Sequence, residues 1–98
     1  MSTRDRLINK VAEAFAKLGI HAECLRMEFP TGYWKAADVY RWESYWRLSY
    51  ADGRQPETAT LNSWDTATEC VKKGDMQIDK DRKSVKHYEV YAPSSLVK

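Results

Sequence analysis

Apolar residues return along this chain at two different periods, and the switches between them divide it into elements. Leu7, Val11, Ala14, Phe15 and Leu18 recur at helical spacing, which predicts an amphipathic helix with one face for a core. Ser2 or Thr3 can cap its start and Asp5 suits its positive first turn, while Lys17 and Gly19 supply a terminal cation and a left-handed stop. From Ile20 to Phe29 the chain reads as a strand, with Leu25, Met27 and Phe29 alternating, until Pro30-Thr31-Gly32 breaks it.

Alternation is clearest over residues 40–50. Tyr40, Trp42, Trp46, Leu48 and Tyr50 share one parity, interrupted only by Ser44, and Arg41, Glu43, Tyr45, Arg47 and Ser49 share the other. This predicts a strand with an aromatic inner face and a charged outer face. Val39, Trp42, Tyr45, Trp46 and Ser49 also fit a helix, but the adjacent Asp52-Gly53 signals a two-residue hairpin. The return strand is expected over Arg54 to Leu61, with Pro56 keeping its start at an edge.

Asn62-Ser63 then reads as a helix cap, and Trp64, Ala67, Thr68 and Val71 line one face of a second helix ended by Lys72-Lys73-Gly74. Met76 and Ile78 start a short strand, Asp79 to Ser84 make a polar turn, and Val85 to Tyr91 form a last strand. The order αβββαββ predicts a single α+β domain over residues 1–93, followed by a flexible tail at 94–98. Its expected architecture is an antiparallel sheet of about five strands with two amphipathic helices. Phe15, Trp46, Leu48 and Trp64 are expected to share the core.

Length and composition narrow the function. Ninety-eight residues suit one domain, and 43% hydrophobic with 31% charged residues is ordinary globular composition. No apolar run is long enough to span a bilayer and no charged-then-apolar leader opens the chain, so a cytoplasmic, reducing compartment is expected. There Cys24 and Cys70 act as small hydrophobes rather than a disulfide. His21-x-x-Cys24 invites a zinc site, but on a strand those two positions point to opposite faces, and no metal or cofactor is expected.

Catalytic signatures are missing too. The four glycines stand singly at breaks, with no phosphate loop, no nucleophile elbow and no zinc-protease helix. His87 and Glu89 share a strand face, an arrangement more typical of a solvated pair than of an acid–base couple. The chain is therefore expected not to be an enzyme. Lysines and arginines between Lys72 and Lys86 are interleaved with Asp75, Asp79 and Asp81, as in a solvated turn.

What stands out is four Trp and six Tyr against two Phe, rings that combine apolar bulk with a polar edge and are favoured at interfaces. Tyr33, Trp34, Arg41, Tyr45 and Arg47 cluster within residues 33–47, and Tyr91 is a further outward ring. The expected function is a small binding protein working through protein–protein contacts or self-association by edge strands near Pro56 or after Pro93. By analogy of size and composition, it suits a phage or mobile-element accessory or inhibitor protein.

The alternative is a nucleic-acid module using Arg41, Tyr45 and Arg47, with Arg54 and Lys35 nearby. Tyr45-Trp46-Arg47-Leu48-Ser49-Tyr50, followed by Leu61-Asn62-Ser63-Trp64-Asp65-Thr66-Ala67, resembles the sheet-then-helix run of the plant-type AP2 DNA-binding domain over about a third of the chain. That resemblance implies DNA contact by the sheet. The family's Tyr-Arg-Gly opening is missing, Leu-Asn stands where it has Leu-Gly, and the net charge is only +2, a thin excess for neutralising phosphates.

Overall fold

The computed structural model describes residues 3–29, 42–64, 76–80 and 86–92. Helix α1 spans Thr3–Lys17 and opens with Asp5 in its first turn. Leu7, Val11 and Phe15, four residues apart, are almost completely buried. Gly19 adopts a φ of 77° and its N–H bonds the Ala16 carbonyl at 3.0 Å, which stops the helix as expected. Leu18 falls just past the helix end at Lys17 and is 60% exposed instead of extending the buried stripe.

Five strands follow: β1 (Ile20–Glu28), β2 (Glu43–Tyr50), β3 (Glu57–Trp64), β4 (Gln77–Lys80) and β5 (His87–Tyr91). They form one sheet in the order β1-β2-β3-β5-β4. The prediction of a wholly antiparallel sheet is corrected here, because β3 and β5 run parallel. Burial capacity explains the order. Strand β5 brings Val90, which is fully enclosed, and Tyr88, whose ring meets Phe15 edge-on at 5.7 Å. Strand β4 offers only half-buried Ile78 among exposed polar residues, which suits an edge. Seating the better-buried member of the β4–β5 hairpin beside β3 makes that contact parallel.

The second helix is also revised. Asn62, Ser63 and Trp64 belong to β3 and pair with Glu89, Val90 and Tyr91, so the expected cap is strand. The rest of that predicted helix, residues 65–75, lies outside the described residues, and α1 is the one helix among those described. Strand β3 begins at Glu57 rather than Arg54. It lies inside the sheet, not at the edge expected near Pro56, and β1 and β4 are the edges of the described sheet. The edge expected after Pro93 lies outside the described residues. The Asp52-Gly53 turn differs too. Gly53 donates to the Tyr50 carbonyl at 3.3 Å, which makes Ala51 and Asp52 the middle pair and leaves Gly53 after them with a φ of 82°.

Parity in β2 is as expected: Ser44, Trp46 and Leu48 are buried and Tyr50 half-buried. In β1 it holds only in part. Cys24 pairs with Trp46 and Arg26 with Tyr45, so Leu25 is an inserted bulge residue. Met27 is buried, whereas Leu25 and Phe29, expected on the same face, are exposed.

The core lies between α1 and the inner sheet face. Phe15 and Trp46, both fully buried, tilt together with ring centroids 6.2 Å apart, and Leu48 belongs to the same cluster. The Trp46 indole Nε1 donates to Ser44 Oγ at 2.6 Å, which explains a serine at an inward position. Trp64 lies in β3, but its side chain falls outside the described residues. Phe15→Ala or Trp46→Ala is expected to cost ~3–5 kcal/mol in urea unfolding. Ser44→Ala, which strands the indole N–H, is expected to cost ~1–3 kcal/mol. A Trp46→Ala midpoint equal to that of the parent would show that the ring is not enclosed.

Candidate functional site

With Ser44, Trp46 and Leu48 inward, the outer face follows from the register. One row runs from Glu23 through Arg47 to Thr58, the next from Arg26 through Tyr45 and Thr60 to His87, and a third from Glu28 through Glu43, Asn62 and Glu89 to Asp79. Tyr45 and Arg47 are thus brought together on this face, as the sequence predicts. Tyr91 sits on the same side of β5, one step beyond the third row. Tyr33, Trp34 and Arg41, and Lys35 with them, lie outside the described residues. Arg54 is not part of the face. It stacks over the Tyr50 ring at 4.0 Å and pairs with Asp52 at 2.7 Å in the β2–β3 turn.

The polar groups of the face largely satisfy one another. Arg47 pairs with Glu23 at 3.5 Å, and Arg26 pairs with Glu28 while standing 6.0 Å from the centre of the Tyr45 ring. The Tyr45 hydroxyl donates to Glu43 at 3.0 Å, and that bond, reinforced by the carboxylate charge, raises the phenol above its ordinary pKa. Tyr91 does the same with Glu89 at 3.1 Å, with the same effect on its pKa. Asn62 Nδ2 donates to His87 Nε2 at 2.9 Å, which requires the tautomer protonated on Nδ1. His87 and Glu89 share a face as expected, but each is engaged by another side chain.

Geometry also separates the suggested zinc pair. His21 is exposed opposite Ser49, whereas Cys24 is a half-buried free thiol opposite Trp46. Burial raises the Cys24 pKa. Among the described residues, no three His, Cys, Asp or Glu side chains gather where they could hold a metal ion. A shallow, open cleft of about 270 Å³ lies between Leu18, Gly19 and Ile20 and the Tyr50–Arg54 turn, just under the size of usual small-molecule sites. No described helix is long and apolar enough to cross a membrane.

Among the side chains that sequence reasoning left out of this face are Glu23, Arg26, Glu28, Asn62 and Asp79. Their membership depends on strand neighbours and on the bulge. A partial signal exists in Arg26-x-Glu28, since opposite charges two apart on a strand share a side.

No protein family, curated protein or solved structure matches the chain, so the reading of the site rests on its own chemistry. Glu43→Gln is expected to lower the Tyr45 pKa toward that of a free phenol, followed by NMR of the ring carbon bearing the hydroxyl. An unchanged titration would mean that the Tyr45–Glu43 bond does not form in solution.

Proposed function

We propose that this domain is a protein-binding module that presents the outer face of its sheet to a basic protein surface. The observation that carries this reading is the charge of the face. Among the described residues it displays Glu23, Glu28, Glu43, Asp79 and Glu89 against Arg26 and Arg47, and both guanidiniums already pair with carboxylates. Complementary charge guides association and register, while rings supply anchoring area. Tyr45 and Tyr91 are those rings, each holding a hydroxyl against a carboxylate. Tyr33, Trp34 and Arg41 remain sequence-level candidates for the same contact. A nucleic-acid role for Arg41, Tyr45 and Arg47 has less support, because these carboxylates repel phosphate.

Two titrations followed by NMR test the reading. Arginine-rich peptides with an aromatic residue are expected to shift resonances of Glu43, Tyr45 and Glu89, with the shifts lost in Tyr45→Ala and Glu89→Lys. Mixed-sequence DNA and RNA are expected to produce no such shifts at low salt. Nucleic-acid binding that collapses as salt rises, and is abolished by Arg41→Ala with Arg47→Ala, would replace this function with the nucleic-acid one.

A further inference from the structure

The two edges of the described sheet are built differently. Strand β4 has four residues and exposes Gln77, Asp79 and Lys80, the short and polar form that discourages pairing. Strand β1 has nine residues and, among the described residues, only β2 beside it. The exposed large hydrophobic residues among those described are Leu18, Leu25 and Phe29, and each lies within β1 or within two residues of its ends. An edge strand of this length carries a row of N–H and C=O groups that another strand can complete.

We propose that β1 pairs antiparallel with β1 of a second copy, about a two-fold axis at Cys24, joining the two sheets into one. The register follows from face and charge. Because Leu25 is a bulge, Ile20, Ala22, Cys24 and Met27 lie toward the inner face, and His21, Glu23, Arg26 and Glu28 toward the outer. Pairing about Cys24 sets Ala22 against Met27 of the second copy and Glu23 against Arg26 of the second copy. It also sets His21 against Glu28 of the second copy and Ile20 against Phe29 of the second copy. Every facing pair is then apolar or able to attract.

Neighbouring registers are penalised. One step toward the N-terminus places Glu23 opposite its own copy and His21 opposite Arg26. One step the other way places Arg26 opposite its own copy and Glu23 opposite Glu28. Like charges directly opposite destabilise a strand pair, so the charge sequence of β1 selects one alignment. This edge shares Glu23, Arg26 and Glu28 with the outer face of the proposed function, but Glu89 lies three strands away on β5, so Glu89→Lys tests that contact and leaves the pairing unchanged.

Sedimentation velocity over a wide concentration range tests the proposal. The parent chain is expected to form dimers. Glu23→Arg and Arg26→Glu are each expected to lose self-association, since one sets arginine against arginine and the other glutamate against glutamate. An equimolar mixture of these two variants is expected to regain the dimer, because both facing pairs become opposite in charge. A parent chain that stays monomeric, or folded variants whose mixture stays monomeric, would overturn the proposal. Hydrogen exchange on the unmodified chain reads the same contact without any substitution. Rising concentration is expected to protect β1 amides and leave β4 amides unchanged, and protection that spares β1 would also overturn it.

Discussion

The enclosure of the Trp46 indole is the constraint on which the rest of the structure depends. Burying a ring this large costs far less when its N–H finds a partner. Ser44, two residues earlier on the same face of β2, supplies one at 2.6 Å. The polar residue that interrupts the apolar alternation is therefore part of the core. Once residues 44, 46 and 48 are fixed inward, Glu43, Tyr45 and Arg47 have to face outward. The register with β1 and β3 then determines which side chains stand beside them. Phe15 closes the other side of the ring, so the helix and the orientation of the sheet are settled by one contact.

Elements governed by a single local period were legible in the sequence. The stripe of α1 and the alternation of β2 both describe a face that one neighbour covers, and both are found. Elements decided by their partners were not. Asn62-Ser63 satisfies the chemistry of a helix cap and also the alternation of a strand that buries Ala59, Leu61 and Ser63. Pairing with β5 decides between them, through the Asn62–His87 bond and the parallel ladder. A strand pattern states which residues point inward but not which strand lies alongside, so the parallel β3–β5 contact had no signature to read.

The outer face divides in the same way. Parity alone placed Tyr45 and Arg47 together, because they lie on one strand. Glu23, Arg26, Glu28, Asn62 and Asp79 join them only through register. The sign of the face was hidden as well. A net charge of +2 is a property of the whole chain, whereas this face gathers carboxylates from four of the five strands. Whole-chain charge is a poor guide to a surface when a sheet sorts its residues by parity.

The bulge at Leu25 connects the face to the edge. Bulges in edge strands ordinarily discourage pairing with other chains, but here the core requires one. Unbroken alternation from Ile20 would turn Arg26 toward the core and Met27 toward solvent, stranding a guanidinium and losing an apolar side chain that is 4% exposed. The inserted residue corrects both. It returns Met27 to the inner face and releases Arg26 to stand near Tyr45 as one of the two described cations of the outer face. It also leaves Glu23 and Arg26 one step on either side of Cys24, the spacing a two-fold strand pair needs to set opposite charges face to face. The insertion that rescues the core thus also gives the outer face its second guanidinium and gives the long edge a preferred alignment.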